Sequence, residues 1–397
     1  MASHQARPQW RWSFARIGAL LMMAALAGCQ AVVPRTEPPP VITPPPTPPD
    51  TIEGGIPRDQ QRHRVALLVP MSGTNAGVGQ SIANAANMAI LDTGGERVRI
   101  TTYDTAGPGG PAQAARAAIA DGSRLFLGPL LAEDVRLIAP IARQAQVPIV
   151  SFSNDTSVAG EGIFVMGFTP GQSIERVVAY ARANGSQRFA ALIPEGVYGQ
   201  RASAAFTDAV NRAGGTLVAV RTFERDPRAI QRTVAQLHGE GGYDTILIAD
   251  GGSTAERVAA AIRAVHTDGV TILGTELWNT QPTLANNAAL RGALFASVSD
   301  RTFDTMSQRY RARFTGAPYR LSSLGYDAAL LAVRLSRAWE PGAPFPMAGL
   351  LDDGGFSGVD GAFRFHDNGI AERALEVQRI QPGNFAVVDP APSGFGG

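Results

Sequence analysis

Arg64-Val65-Ala66-Leu67-Leu68-Val69-Pro70-Met71-Ser72-Gly73 decides the fold class of this chain. An unbroken apolar run closed by a Pro/Ser/Gly turn reads as a short strand buried on both faces, because a half-buried strand would alternate apolar with polar. The next ninety residues repeat the plan. A helical stretch runs from about Gly79 to Leu91, Val98 to Asp104 alternates like a strand, and Pro111 to Asp121 is Ala-rich and helical. Leu125-Phe126-Leu127 ends at Gly128-Pro129, Glu133 to Gln144 reads as a helix, and Pro148 to Phe152 as the next strand. Strands alternating with helices imply a parallel sheet with helices on both faces, an α/β fold.

The alternation then restarts. Helices are expected at Gly171–Asn184, Gln200–Ala213, Asp226–His238 (opened by Asp226-Pro227) and Thr254–Val265, interleaved with strands at Phe189–Ile193, Leu217–Val220, Asp244–Ala249 and Val270–Leu273. This predicts a second lobe of the same plan. Gly167-Phe168-Thr169-Pro170 is the expected first crossing between lobes, residues near Phe295-Ala296-Ser297 the second, and the helix over 323–339 returns to the first lobe. A closing hairpin is expected from Gly361–Phe365, an Asp367-Asn368-Gly369 turn, and Leu375–Ile380, Asn-Gly being a strong turn signal. The lobes are thus drawn as about 62–168 with 298–350, and about 171–295 with 356–381, leaving 382–397 as a Gly/Pro-rich tail.

Ahead of this domain lies an export segment. Arg7, Arg11 and Arg16 precede an apolar run from Ile17 to Ala27, which stops at small residues before Cys29. The run is about 11 residues, against the ~20 needed to span a bilayer, so residues 1–28 read as a signal peptide. Cys29 is the only cysteine of the 397 residues, which excludes an internal disulfide. Residues 29–61 are a Pro-rich tether (Pro38-Pro39-Pro40, Pro44-Pro45-Pro46, Pro48-Pro49) biased to polyproline II. At ~3.1 Å per residue such a tether reaches at most about 90 Å.

Formal net charge is +1, giving no basic surface for nucleic acid. Catalytic signatures are missing. The histidines outside the signal segment are isolated in sequence, and no Gly-x-Ser-x-Gly elbow, zinc motif or Walker loop is present. Gly77-Val78-Gly79 lacks the third glycine of a dinucleotide fingerprint, and Asp352-Asp353 and Asp367-Asn368 read as solvated turns rather than cation loops. A non-enzymatic protein without cofactor or metal is expected.

The order Val65–Gly73, Gly128-Pro129, Val147–Ser151, Tyr198-Gly199, Gly325-Tyr326-Asp327-Ala328 and the closing hairpin resembles the type I periplasmic-binding proteins of the leucine/isoleucine/valine branch, over about residues 62–381. The resemblance implies two Rossmann-like lobes facing each other across a ligand cleft. Leu26-Ala27-Gly28-Cys29 resembles a bacterial lipobox, which implies lipidation of Cys29, and Gln30 after it implies the Gram-negative outer membrane. Gly128-Pro129-Leu130-Leu131 with the Pro-rich tether is most similar to the penicillin-binding-protein activator lipoproteins. That implies a regulator of a peptidoglycan synthase; the alternative is a solute-binding lipoprotein that delivers an amino acid or similar small molecule to an ABC permease.

In such folds ligands sit beyond the carboxyl ends of the strands. The cleft candidates are therefore Ser72, Leu131, Ser153, Asn154, Tyr198, Asp250 and Glu276. By the resemblance, Ser153 and Asn154 take the place of a ligand-binding hydroxyl, Tyr198 forms an aromatic wall and Glu276 meets an ammonium. Leu131 departs from the pattern, which puts a hydroxyl there, and the charge of Asp250 is expected to repel a carboxylate. Ser72, Ser151 and Ser253 precede helices and are also candidates for plain N-caps. Cys29→Ser is expected to abolish fatty-acid labelling and leave the signal peptide uncut; normal labelling of the variant refutes lipidation at this site.

Overall fold

A computed structural model describes residues 62–266 and 269–395; Cys29, the signal segment and the tether lie outside the described residues. The first sheet is built from β1 (His63–Val69), β2 (Val98–Asp104), β3 (Leu125–Leu127), β4 (Ile149–Ser151) and β5 (Ile163–Val165), in the order β2-β1-β3-β4-β5 and parallel throughout. Between these strands run α1 (Ala76–Thr93), α2 (Gly110–Ala120) and α3 (Ala132–Gln144). The apolar run of β1 is spent on both faces: Val65, Leu67 and Val69 enter one core and Ala66 and Leu68 the other.

The second lobe repeats this with α4 (Pro170–Ala183), β6 (Arg188–Pro194), α5 (Val197–Arg212), β7 (Thr216–Phe223), α6 (Pro227–Glu240), β8 (Thr245–Ile248), α7 (Gly252–Val265), β9 (Thr271–Leu273) and β10 (Leu294–Ser297). Here Ala190 and Leu192 of β6 face one core, and Phe189, Ala191 and Ile193 the other. Asp226 caps α6 as expected, accepting from the N–H groups of Arg228 and Ala229 at 2.9 and 3.0 Å. Ser253, by contrast, lies inside the first turn of α7, and α1 and α7 have no side-chain cap.

The chain then returns to the first lobe through α8 (Arg301–Arg313), α9 (Ser322–Leu335), β11 (Phe356–Gly358), β12 (Gly361–Phe365) and β13 (Ala371–Arg373), and crosses back for β14 (Glu376–Gln381) and β15 (Asn384–Asp389). Three expectations change. The Asn368-Gly369 turn joins β12 to β13 rather than to the strand at 375–380, and that three-stranded sheet belongs to the first lobe, where Phe356, Phe363 and Phe365 join the core of Leu67 and Val69. Its turn docks on β5, Val165 N–H donating to Gly369 O at 2.7 Å, so the exposed edge of the first sheet is covered. Second, β14 pairs antiparallel with β10 in the other lobe. Third, residues 384–389, expected as part of a Gly/Pro-rich tail, form a strand on β14. The second sheet therefore reads β15-β14-β10-β9-β8-β6-β7. The three crossings fall near 166–169, 298–300 and 374–375.

The two lobes share a packing device. Helices α1 and α5 each follow the first strand of their lobe, and each brings a glycine against the proline carbonyl that ends it. A Cβ on Gly79 or on Gly199 would sit 1.8 Å from the oxygen of Pro70 or Pro194. Gly79→Ala and Gly199→Ala are each expected to destabilise by about 1–3 kcal/mol or more, the cost of forcing atoms into a filled interior. Urea midpoints equal to that of the parent would refute the close approach.

Candidate functional site

A small cavity of about 20 Å³ lies where all three crossings meet. Phe168 and Thr169 of the first crossing, Ser297 and Val298 of the second, and Arg373 and Leu375 of the third line it. The second lobe adds Glu276 and Asn279 from a 3₁₀ turn after β9, and the first lobe adds Arg320, just ahead of α9. At that size the cavity holds about one water molecule.

Of the sequence candidates, Tyr198, Asp250 and Glu276 come together in the second lobe. Tyr198 Oη is 3.0 Å from both Thr275 Oγ1 and Glu276 Oε1. A phenol has one proton, so it donates to the carboxylate and accepts from the threonine hydroxyl. Trp278 Nε1 donates to Asp250 O at 2.8 Å, tying the turn that carries Glu276 to the end of β8. Asp250 is not isolated: Arg225 Nε donates to its Oδ2 at 2.8 Å.

Glu276 is different. One oxygen takes the phenol; the other, Oε2, is cut off from solvent and has no partner. Burial raises its pKa from an ordinary 4.5 to about 7, the hydrogen bonds from its own backbone N–H and from Tyr198 opposing only in part. Burial and the neighbouring Glu276 carboxylate push the Tyr198 phenol well up in turn.

The first-lobe candidates do not gather around the cavity. Ser72 is hydrogen-bonded to Asp104, which also takes the Met71 N–H at 2.7 Å. Ser153 is buried but occupied within its own loop, its Oγ accepting from Asp155 N–H at 3.0 Å. Asn154 is exposed, and Leu131 is 37% exposed at the start of α3. Ser151 hydrogen-bonds Pro129 O at 3.0 Å instead of capping a helix. What does reach across from this loop is Asp155, paired with Arg201 of α5 in the opposite lobe at 2.5 Å and with Arg136 at 2.8 Å. Burial raises the pKa of Asp155, but the hydrogen bonds from Ser157 and the charge of Arg201 outweigh it and leave the carboxyl below its usual range.

Sequence reasoning misses the hinge charges. Arg320 Nη1 donates to Asp360 Oδ1 at 2.7 Å and Nε to Asp300 Oδ1 at 3.1 Å, while Arg373 Nη2 and Nε donate to Met166 O at 2.6 and 3.3 Å. Asn279 Nδ2 donates to Asp300 Oδ1 at 3.0 Å, linking the second lobe to the same cluster. Phe168 lies between the two guanidinium groups, 5.7 Å from that of Arg320 and 5.0 Å from that of Arg373. Only Phe168 carries a signal in the sequence, as part of the expected first crossing. Among the described residues no group of three or more His, Cys, Asp or Glu is arranged to hold a metal ion.

This architecture, two parallel-sheet lobes joined by three crossings around a cavity, has relatives. The profile of the periplasmic binding protein family matches residues 63–384. The chain belongs to that family. A putative branched-chain amino acid ABC transporter protein from Rhodospirillum rubrum superimposes with a TM-score of 0.73 at 20% identity, covering 82% of this chain and 100% of that one. A substrate-binding protein of Desulfitobacterium hafniense in complex with Leu gives 0.64 at 18% identity, over 82% and 100% of the two chains. A solute-binding protein of Rhodopseudomonas palustris BisB5 in complex with 3,4-dihydroxybenzoic acid gives 0.63 at 19%, over 84% and 99%. At these identities the likeness is one of fold. An uncharacterized protein of Rickettsia prowazekii is 26% identical over 180 residues, so the match spans 45% of this chain and about half (48%) of that relative.

Glu276 titrates with a clear sign. Its folded pKa is raised, so the folded state holds a proton that the unfolded chain releases between 4.5 and about 7, and its contribution to stability is lost as pH rises through that window. The interval is worth on the order of 3 kcal/mol. Glu276→Gln is expected to gain that much relative to the parent between pH 4 and pH 8 in urea unfolding. Parallel pH profiles for the two proteins would refute the buried, cation-free carboxylate.

Proposed function

We propose that this chain is a periplasmic solute receptor, held to the membrane by a lipid on Cys29, whose interlobe cavity takes a small amino-bearing molecule by its ammonium group. One observation carries this reading: Glu276 presents a buried oxygen with no partner at the meeting point of the lobes, and no cation among the described residues lies within ion-pair distance of it. Burying a carboxylate without a counter-charge is costly, and a ligand ammonium supplies the missing charge. Tyr198 holds the other oxygen in place. Family membership and the solute-binding relatives support the same reading, with an ABC permease as the partner that receives the solute.

The second reading is a lipoprotein that regulates a peptidoglycan synthase, with the penicillin-binding protein rather than a solute as its partner. Two observations favour it: Leu131 is exposed where a ligand hydroxyl is expected, and the long Pro-rich tether suits reach toward a distant protein. It has no use for an unpartnered Glu276, so the receptor reading comes first.

Calorimetry with the twenty amino acids separates the two. The receptor reading expects at least one to bind, with affinity falling below pH 7 as Glu276 takes up its proton. It also expects a loss of roughly thirtyfold or more in Glu276→Ala, since unpairing a buried charge costs about 2–5 kcal/mol. Absence of any binding, together with stimulation of a penicillin-binding protein by both parent and variant, would overturn it in favour of the regulator.

A further inference from the structure

Among the described residues, hydrogen bonds and ion pairs join the lobes in two places. The first set lies on or beside the crossings: Asn279 Nδ2 and Arg320 Nε both donate to Asp300 Oδ1, and Gln172 of α4 donates to Ala371 O and accepts from Arg373 N–H at 2.8 Å. A rotation of one lobe about the crossings moves such contacts little. The second place is the Asp155–Arg201 pair, 2.5 Å apart. Asp155 opens the 3₁₀ turn after β4, and Arg201 stands in the second turn of α5. Strand β6, which feeds α5, lies three places from β10, where the second crossing begins, roughly 14 Å at the usual strand spacing. A rotation that parts the lobes therefore lengthens this pair.

Both ends are held in place. Ser157 N–H and Oγ donate to Asp155 Oδ1 at 2.9 and 2.6 Å, which fixes the carboxylate. The close approach of Gly199 to Pro194 O fixes the start of α5. Tyr198 precedes Arg201 by three residues and shares its helical face, so one helix carries both the hydrogen bond to Glu276 and the interlobe charge. The pair is also built to part. The Asp155 side chain is 5% exposed, and a carboxylate so buried is costly to strip of its counter-charge. Arg136 of its own lobe stays with it at 2.8 Å, so separation leaves no orphan. Arg201 is already 28% exposed, and water takes over its contacts as the lobes move apart.

We propose that Asp155 and Arg201 form a releasable latch that holds the lobes closed and gates the cavity between them. With the latch made, that cavity holds about one water molecule, so anything larger enters only after the pair has separated. The strength of the latch then sets the fraction of molecules open to entry. The latch acts whatever fills the cavity and does not depend on the ammonium contact of Glu276.

The test is an interlobe distance, read without added solute. The chain from residue 29 onward carries Cys29→Ser, and spin labels are placed at Leu137→Cys on α3 and Asp208→Cys on α5, two exposed positions on opposite lobes. Double electron–electron resonance on this parent at low salt is expected to show mainly one short spacing. Arg201→Gln is expected to raise the ratio of open to closed molecules about tenfold, beyond the roughly fivefold ceiling of a fully exposed pair. Arg201→Glu sets two carboxylates against each other and is expected to make the longer spacing the major one. Raised salt is expected to shift the parent toward the glutamine variant, because Arg201 is partly solvated. Each variant is checked for a cooperative thermal transition, and the salt series on the parent decides the matter if a variant fails to fold. A distance distribution unchanged by salt and by both substitutions would overturn the latch, as would a parent that is mainly open at low salt.

Discussion

Asp360 carries the joint between the lobes. It has no exposed surface, and a carboxylate so placed must be met by positive charge or be lost to protonation. Arg320 meets it directly and Arg373 stands within ion-pair reach, while Asp327 in the same cluster accepts the backbone N–H groups of Val359 and Asp360. Burial and the adjacent Asp360 raise the Asp327 pKa to about 7. Through Arg373 this cluster grips Met166 O at the first crossing, through Asp300 it grips the second, and Arg373 itself sits at the third. Removing one member of such a buried group typically costs about 3–5 kcal/mol, because the partners are left uncompensated. The two sheets have separate cores; this small set of charges, with the Asp155–Arg201 pair, helps register one against the other.

The same requirement explains why the cavity and the hinge coincide. Charges buried for structural reasons have more donors and acceptors than their protein partners consume: arginine offers five N–H groups, and Nη2 of Arg320, a residue lining the cavity, has no hydrogen-bond partner. Glu276, held by Tyr198 and a turn pinned through Trp278, arrives from the other lobe with the opposite need.

How much of this the sequence discloses depends on the kind of signal. Helices with a clear apolar face are legible to within a few residues, α3 and α4 among them, because periodicity is local. Helix α8 escapes notice: Phe303, Met306 and Tyr310 are spaced correctly, but four arginines and little else apolar surround them. The strand at 376–381 is recognisable as a strand, yet its lobe is not, since alternation marks a strand and says nothing of its neighbour; only the pairing of Leu294 to Ser297 with Arg379 to Glu376 decides it. At the site, Tyr198 and Glu276 are legible through their order in a resembling family. Arg320 and Arg373 are not, because a lone arginine in sequence looks like any surface arginine until its burial is known. Ser153 and Asn154 do not line the cavity, for a related reason: a hydroxyl or amide in such a loop still has local backbone to satisfy, and here local turns take Ser153 first.

The two ends of the folded domain lie on different lobes. The chain enters at β1 in the first and finishes at β15, the outermost strand of the second. A protein held from its amino-terminal side is therefore held by the first lobe alone. The second lobe, with Tyr198, Glu276 and Arg201, is cantilevered from that support on three short backbone spans. A pull applied at β1 would load one lobe and leave the spans between the lobes unloaded, so the freedom of the cleft would be mechanically insulated from it.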